Sequence, residues 1–288
     1  MTTAYLNGEY LPKEKARVSV DDRGFVFGDG IYEVVRVIEG SIFAWPEHAR
    51  RMTHGLSEVR IPFGAPDVDG LEAVCLRLLA DNDLTSGEAT VYLQVTRGSA
   101  PRTHYFPPAG TQPTVYAAAS RFTPSPTMRD DGIAAITFPD FRWTRCDLKT
   151  VNLMGAVLAR EAAHEAGAYE AFLIRDGVLT EGAATNAFAV IDGVVRTYPL
   201  SNYILPGVSR HYALDAARDV GVRVSEVPVT QQELLAAAEL FIAGTTTDVA
   251  PVVSLDGKPV GDGKPGPVTR QVQKAFLAKL YAPAAAAR

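Results

Sequence analysis

Lys149 is the residue of this chain whose surroundings are most typical of covalent chemistry. It lies in the segment FRWTRCDLKTVNLMGAVLA, where an aromatic and basic stretch typical of a strand is followed directly by a helix. A lysine that loses its proton near neutral pH can act as a nucleophile and carry protons, but an unperturbed lysine has a pKa of about 10.4. Lys149 must therefore be shielded from water to act, whereas most lysines are solvated.

Glu181 is a second candidate, because it follows a predicted strand in the segment TEGAATNAFAV and precedes small residues. These small residues, with Asn186 after them, would let the backbone approach a bound ring. A glutamate in a polar turn is more often simply exposed. The case for Glu181 therefore depends on its combination with Lys149.

Two glycine-containing segments, PGVSR at 206–210 and GTTT at 244–247, have the composition of anion sites. In the first, the amides of Val208 and Ser209 stand at a predicted helix N-terminus, and the second offers amides and hydroxyls. Backbone N–H groups at such ends favour dianions. A plain helix cap or turn has the same composition, so each segment alone is a weak indication.

These candidates need a framework of strands and helices, and turn residues mark one along the chain. Asn7-Gly8 and Glu39-Gly40 each separate two short strands and predict β-hairpins. β-branched and aromatic residues predict further strands near 88–96, 114–119, 132–138, 169–175, 185–191, 222–228 and 249–255. Apolar periodicity predicts helices at 46–59, 71–80, 207–220 and 267–281, and a helical face made of Met154, Val157, Leu158, Glu161 and Ala162.

The prolines and charges of RFTPSPTMRDD, residues 121–131, predict a connection between two domains. It separates an N-terminal α/β domain, residues 1–120, from a C-terminal α/β domain, residues 132–288, which carries Lys149. A chain of 288 residues with 47% hydrophobic side chains is long enough to bury two cores.

Composition and charge exclude several classes of partner. The formal net charge of −5 and a pI near 5.6 provide no basic surface for nucleic acid. The N-terminus MTTAYLNGEY lacks the pattern of a secretion signal, and no stretch approaches the roughly 18 apolar residues of a membrane span. We expect a cytoplasmic protein with no membrane partner. Cys75 and Cys146 lack metal-ligand spacing, so no metal site is predicted.

The segment DLKTVNLMGAVLAREAAHEAGAYEAFLIRDGVLTEGAATNAFAV resembles the core signature of the fold-type IV pyridoxal-phosphate enzymes. The segments RGFVFGDGIYEVVRV, EHARRM, QVTRGSAPRTHYFP and ELFIAGTTTDVAPV follow the family's order and spacing, so the resemblance covers about residues 4–280. It is strongest to the D-amino-acid aminotransferases.

This resemblance implies a mixed α/β fold of two α/β domains with the active site at their interface. It also implies pyridoxal 5′-phosphate as cofactor and a homodimer. The implied reaction is a ping-pong transamination of a D-amino acid, such as D-alanine, with a 2-oxo acid, such as 2-oxoglutarate, through a Schiff base at Lys149.

Roles in cofactor binding follow from the same resemblance. Lys149 is similar to the lysine that binds the cofactor covalently and then carries the proton between the substrate Cα and the cofactor's C4′. Glu181 is similar to the carboxylate that pairs with the pyridine nitrogen, and Arg51 in EHARRM to the arginine that binds the phosphate. Leu205 resembles the residue that packs against the cofactor ring.

The implied phosphate and substrate ligands complete the site. Val208, Ser209, Gly244 and Thr245 resemble the family's remaining phosphate ligands. The resemblance also implies that the substrate carboxylate is bound by Tyr32, Arg102 and His104. Arg102 and His104 would come from the neighbouring subunit.

The chain departs from the D-amino-acid aminotransferases where relatives often carry serines, because Ala183, Ala184 and Thr185 follow Glu181-Gly182. Gly244 likewise offers an amide but no hydroxyl. Within the same cofactor class, an (R)-amine transaminase, a branched-chain transaminase or an aminodeoxychorismate lyase would share residues like Lys149 and Glu181. The PRTH segment of the long loop argues against these alternatives.

Overall fold

The computed structural model describes residues 2–286, which group into two units, each built around its own sheet. Of the described residues, one unit comprises residues 2–123 and the short segment Leu148–Asn152, and the other comprises Pro124–Asp147 and Leu153–Ala285. Residues 1, 287 and 288, at the ends of the two predicted domains, lie outside the described residues. Within the described part, no helix is long and apolar enough to cross a membrane.

Besides a short 3-10 helix at Lys13–Lys15, the described part of the first unit has six strands and three α-helices. In chain order they are β1 (Thr3–Leu6), β2 (Glu9–Pro12), α1 (Arg23–Phe27), β3 (Gly30–Ile38), β4 (Ser41–Ile42), α2 (Trp45–Glu58), α3 (Ala65–Asp81), β5 (Glu88–Thr96) and β6 (Thr114–Arg121). The strands form one antiparallel sheet in the order β2-β1-β6-β5-β3-β4.

The two predicted hairpins are confirmed, and their turns explain why. Asn7 and Gly8 connect β1 to β2 with φ angles of 50° and 96°, and Glu39 and Gly40 connect β3 to β4 with φ angles of 49° and 77°. Two successive left-handed residues match the twist of the strands, and asparagine and glycine adopt that conformation at low cost. Local turn chemistry therefore fixes the register of both hairpins.

The core of the first unit lies between its sheet and the two long helices. Side chains alternate along β3 and β5, so Val35, Val91 and Leu93 point to one face. Leu56 of α2 and Leu78 of α3 pack against that face and are fully buried. This packing fixes the position of β3, which carries Tyr32 and Glu33.

The segment that holds Lys149 belongs to the first unit, whereas the sequence analysis places Lys149 in the C-terminal domain. Its backbone pairs with the start of β3, since Tyr32 N donates to Lys149 O and Val151 N donates to Gly30 O, both at 3.0 Å. β4 covers only the end of β3 at Ile38, so the rest of this edge can accept residues 149–151. A pairing across more than a hundred residues leaves no local sequence signal.

The second unit has ten strands and five helices. In chain order they are α4 (Pro126–Asp130), β7 (Ile133–Pro139), α5 (Met154–Glu165), β8 (Glu170–Arg175), β9 (Val178–Gly182), β10 (Asn186–Ile191), β11 (Val194–Thr197), α6 (Val208–Asp219), β12 (Arg223–Glu226), β13 (Val229–Thr230), α7 (Gln231–Leu235), β14 (Glu239–Gly244), β15 (Asp248–Leu255), β16 (Lys258–Pro259) and α8 (Pro267–Ala286). The predicted connection at 121–131 contains α4.

The sheet of the second unit is mixed, in the order β12-β11-β10-β14-β15-β7-β8-β9-β13, with β16 paired to β15. Parallel pairing joins β11 to β12, β15 to β7 and β7 to β8, and the other pairs are antiparallel. Asp-Gly turns at 176, 192 and 256 close three hairpins. This arrangement places the end of β9, the start of β10 and the end of β14 near one another, where the candidate residues lie.

Candidate active site

Lys149 and Tyr32 lie together at the edge of β3. Lys149 Nζ donates a hydrogen bond to Tyr32 Oη at 3.3 Å and lies 4.4 Å from the centroid of the Tyr32 ring. Both side chains are half-buried. The phenol therefore gives the amine a fixed partner, and the ring face attracts its charged form.

A row of tyrosines that the sequence analysis missed supports Tyr32. The Tyr32 ring stacks on Tyr92 of β5 at 5.6 Å, and Tyr92 contacts Tyr116 of β6 at 6.3 Å. Burial, with the neighbouring tyrosines, raises the pKa of Tyr92 to about 12, so this phenol stays neutral. Tyr92 Oη donates to Gln94 at 2.7 Å. The strand register could have revealed this row, but pairing partners are not visible in the sequence.

Arg51 is held by a buried carboxylate. Its Nε and Nη2 donate to Glu33 of β3 at 2.7 Å each, and His48 Nδ1 lies 2.8 Å from the same carboxylate. Burial would raise the pKa of Glu33, but the charge and hydrogen bonds of Arg51 and the hydrogen bond of His48 outweigh it and hold that pKa well below its ordinary value. His48 and Arg51 stand three residues apart on α2, so both face Glu33.

Glu181 is the next-to-last residue of β9 in the second unit and is 3% exposed. Its carboxylate accepts hydrogen bonds from Arg142 Nη1 at 2.5 Å, from Asn186 Nδ2 at 2.9 Å and from Leu205 N at 3.1 Å. Burial raises its pKa to about 7 in spite of the charge of Arg142. The three donors fix the carboxylate, yet they do not stabilise its negative charge as well as water would.

Arg142 is the partner of Glu181 that the sequence analysis missed. It also donates to Asp140 through Nε at 2.9 Å and Nη2 at 3.0 Å, and Asp140 accepts from Thr180 as well. Gly155 leaves room for it, since a Cβ there would lie 3.0 Å from Arg142 Cγ. The only sequence signal is the basic composition of FRWTRCD, which does not distinguish Arg142 from Arg145.

The turn after Glu181 is shaped by Glu170 and not by serine hydroxyls. Thr185 Oγ1 donates to Glu170 at 2.9 Å, and Gly182 N donates to Thr185 O at 2.8 Å. A Cβ at Gly182 would lie 2.3 Å from Thr185 Oγ1, so this position requires glycine. Ala183 N donates to Ala171 O at 2.9 Å. The turn is therefore closed by the backbone and by one hydroxyl.

Leu205 and the start of α6 lie directly beside this turn. Leu205 N donates to Glu181, and its carbonyl accepts from Asn186 Nδ2 at 3.0 Å. Gly207 caps α6, and a Cβ there would lie 2.0 Å from Asn186 Oδ1. The next two residues, Val208 and Ser209, begin the helix and are buried, so their amides stand at its N-terminus as predicted.

Gly244 and Thr245 stand where β14 ends, and α6 packs against this strand. A Cβ at Gly244 would lie 3.3 Å from Thr185 Cγ2 and 2.8 Å from Thr247 Oγ1. The structure thus gathers the turn after Glu181, the start of α6 and the turn after β14 within the second unit.

Arg102 and His104 lie together in the exposed loop between β5 and β6. The Arg102 guanidinium lies 5.2 Å from the centroid of the Phe27 ring, and the His104 ring lies 5.6 Å from it. Phe27, which the sequence analysis did not single out, is therefore the platform of this pair. Tyr32 contacts Lys149 and Tyr92, so the structure brings Arg102 and His104 together but shows no contact of either with Tyr32.

Known proteins share this sequence and fold. The sequence model of the amino-transferase class IV family matches residues 30–255. The chain is 41% identical to the D-alanine aminotransferase of Staphylococcus haemolyticus over 276 residues, which covers 96% of this chain and 97% of that protein.

Solved structures agree with the family match. The branched-chain amino acid aminotransferase of Escherichia coli aligns with a TM-score of 0.89 and 28% identity, over 96% of this chain and 93% of that one. A T.th. branched-chain amino acid aminotransferase solved with pyridoxamine 5′-phosphate aligns with a TM-score of 0.85, 27% identity and the same coverage. The chain belongs to the amino-transferase class IV family, the fold-type IV aminotransferases, which use pyridoxal 5′-phosphate.

Proposed function

We propose that this aminotransferase moves the amino group of a D-amino acid, such as D-alanine, to a 2-oxo acid, such as 2-oxoglutarate, in a ping-pong cycle. The observation that carries the proposal is the placement of Arg102 and His104 side by side on Phe27 in an exposed loop. A guanidinium and an imidazole N–H suit a carboxylate. The 41% identity with the D-alanine aminotransferase of Staphylococcus haemolyticus supports the same substrate class.

The described residues offer a chemically suitable partner for each part of pyridoxal 5′-phosphate. An amine, Lys149 Nζ, suits its aldehyde, the buried carboxylate of Glu181 suits its ring nitrogen, and the guanidinium of Arg51 suits its phosphate. When bound, the cofactor supplies an electron-accepting ring that stabilises the electron pair left on the substrate Cα after loss of its proton.

Lys149 holds the cofactor covalently in this proposal and then moves the Cα proton at its Nζ atom. Tyr32 Oη fixes the direction of the amine, and the backbone on both sides of Lys149 is tied to β3. Only the torsions of the lysine side chain remain to be set, which favours a reproducible geometry for proton transfer.

Glu181 would keep the ring nitrogen of the bound cofactor protonated. Its three donors, Arg142, Asn186 and Leu205, leave room for a fourth, because a carboxylate has about four lone-pair sites. The Leu205 backbone is bonded on both its N–H and its carbonyl, so its side chain is well placed to pack against the ring.

Arg51 and two backbone segments are the groups that would hold the phosphate of the cofactor. The amides of Val208 and Ser209 stand at the start of a 12-residue helix, where the helix dipole favours anions. Gly244 and Thr245 contribute an amide each and one hydroxyl. Arg51 can bind phosphate while it holds its glutamate, because a guanidinium has five N–H donors.

A homodimer completes the substrate site, with Arg102 and His104 of each subunit serving the other subunit. Large apolar side chains on the surface of each unit support such an interface. In the first unit, Phe25 and Tyr105 are 76% and 75% exposed. In the second, Met154, Val157 and Leu158 form the predicted face of α5, and the structure exposes it.

We place the enzyme in the cytoplasm, which the unpaired thiols of Cys75 and Cys146 support.

A branched-chain L-amino-acid transaminase is the second candidate, favoured by the solved structures with TM-scores of 0.89 and 0.85. Their sequence identities of 28% and 27% are lower than the 41% shared with a D-alanine aminotransferase. The D-amino-acid assignment is therefore the stronger one.

The experiment is a half-reaction screen of the purified holoenzyme, in which the change in cofactor absorbance is followed with one amino donor at a time. D-alanine should react much faster than L-leucine and (R)-1-phenylethylamine. Faster reaction with L-leucine would establish the second candidate instead.

A matched variant tests the carboxylate trap. Arg102→Ala should reduce kcat/KM for D-alanine at least about tenfold, the loss of one charge-assisted hydrogen bond. (R)-1-phenylethylamine has no carboxylate, so its reaction with the variant should be unchanged. Equal losses with both donors would refute the assignment of Arg102.

A further inference from the structure

We propose that Asp29, with Arg23 and Arg97, forms a buried strut that positions the loop carrying Arg102 and His104 and thereby sets the affinity for the substrate carboxylate. This inference rests on the proposed function. Asp29 stands just before β3, and the two arginines come from α1 and from the end of β5. They are positioning residues, because they act on the substrate only through the loop.

The strut is a three-membered ion pair with specific geometry. Asp29 Oδ2 accepts from Arg23 Nε at 2.8 Å and from Arg97 Nε at 2.7 Å, and Oδ1 accepts from Arg97 Nη2 at 2.9 Å. Arg23 and Arg97 are each 4% exposed. Burial would raise the pKa of Asp29, but the hydrogen bonds and charges of the two arginines lower it, so the carboxylate is ionised at neutral pH.

Arg23 connects the strut to the loop between the two proposed carboxylate ligands. Its Nη1 donates to the carbonyl of Thr103 at 2.8 Å, and Thr103 is the residue between Arg102 and His104. Arg23 N also donates to Gly98 O at 2.9 Å at the start of the loop. The guanidinium therefore bridges a fixed carboxylate and the backbone that the two ligands share.

Arg97 connects the strut to the end of α2 and to the far side of the loop. It donates to Val59 O at 2.7 Å and to Arg60 O at 2.8 Å, and its guanidinium lies 3.8 Å from the centroid of the Phe106 ring. The loop from 98 to 113 is long and has no strand or helix of its own. Loops of that kind are commonly functional, and these contacts restrict this one.

The Phe27 ring connects Arg23 of the strut with the side chains of Arg102 and His104. The Arg23 guanidinium lies 4.7 Å from the centroid of its ring, and Arg102 and His104 lie against the same ring. A buried ion triad of this kind is weak evidence for stability, because the desolvation of three charges offsets their attraction. What the triad does provide is a fixed position for Thr103 and for its neighbours Arg102 and His104.

The test measures substrate affinity and loop mobility in the holoenzyme. Asp29→Asn keeps the shape of the side chain but removes its charge and one acceptor. We expect the KM for D-alanine to rise about tenfold with a much smaller change in kcat, and (R)-1-phenylethylamine kinetics to stay unchanged. Amide hydrogen exchange in peptides from 98–113 should become faster. An unchanged KM, or unchanged exchange, would overturn the proposal.

Arg23→Lys is the second variant, for the case in which Asp29→Asn folds poorly. A lysine keeps the charge beside Asp29, but its single ammonium cannot bridge Asp29 and Thr103 with the fork of a guanidinium. We again expect a higher KM for D-alanine and faster exchange in the loop, and wild-type values for both would contradict the strut.

Glu88→Gln is the matched control. It weakens a second buried ion pair of the same unit, in which Arg36 Nε donates to Glu88 at 2.8 Å, at the opposite end of β3. A general loss of stability would affect both variants alike, so an equal rise in KM with Glu88→Gln would overturn the inference. Arg102→Ala separates the two proposals: if it alone raises the KM, the strut fails, and if it has no effect, the carboxylate assignment itself fails.

Discussion

Replacement of Glu181 by glutamine should remove a pH-dependent loss of stability from the cofactor-free protein. The Glu181 carboxylate is 3% exposed, and burial raises its pKa from the ordinary value of 4.5 to about 7. Each pKa unit corresponds to about 1.4 kcal/mol, so this difference amounts to about 3 kcal/mol of unfavourable free energy once the carboxylate is ionised.

The sign follows from proton binding. Between pH 4.5 and about 7 the folded state binds the Glu181 proton more tightly than the unfolded state, so the free energy of unfolding falls as pH rises through this window. The contribution is most favourable below the unfolded pKa and is lost above the folded pKa. Glutamine does not titrate, so the variant should lack this decline.

The assay is urea unfolding of both apoproteins at about pH 5 and about pH 8, with stability compared between the two proteins at each pH. Other titrating groups are common to both, so their effects cancel to first order. We expect wild type to lose about 2–3 kcal/mol more than the variant over this interval. Equal losses would show that Glu181 is not desolvated in the way that its contacts indicate, and the reasoning would be refuted.

Two further predictions concern the cofactor, and a third concerns the pH dependence of stability. Lys149→Ala should abolish both transamination and the cofactor adduct that borohydride reduces, and mass spectrometry of the reduced protein checks this. Arg51→Lys keeps a positive charge, but a lysine ammonium cannot form hydrogen bonds to Glu33 and a phosphate with the fork of a guanidinium. The affinity for the cofactor should therefore fall about tenfold or more in reconstitution titrations. Arg142→Met removes the charge that lowers the pKa of Glu181, so the pH-dependent loss of stability should move to higher pH, as followed by the same urea experiment.

Local chemistry made much of the fold predictable. The hairpins at Asn7-Gly8 and Glu39-Gly40 are predictable from the sequence because two successive left-handed turn residues determine each turn locally. The helix that begins at Val208 was visible because a glycine cap and its apolar face lie within one segment. Elements of this kind are specified by neighbours in the chain.

Other elements depend on distant partners and escaped the sequence analysis. β14 (Glu239–Gly244) is buried almost throughout, so it shows no alternation, and the preceding ELLAAAEL favours a helix. The segment Leu148–Asn152 is positioned by backbone hydrogen bonds to β3. Arg142 and Glu181, which are hydrogen-bonded, are 39 residues apart in the chain. Resemblance to a family indicated Lys149 and Glu181, but not the groups that hold them.

Two buried glutamates, Glu33 and Glu181, differ in how far positive charge compensates for their burial. Glu33 is 1% exposed, but Arg51 and His48 provide more positive charge than burial removes, and its pKa lies well below the ordinary value. Glu181 has the opposite balance, with burial outweighing its donors. A carboxylate that the chain leaves short of positive charge gains most from an added cation, which a protonated pyridine nitrogen supplies. The same deficit would make a ring nitrogen beside Glu181 more basic, so the raised pKa of Glu181 and the protonation of that nitrogen would have one common cause.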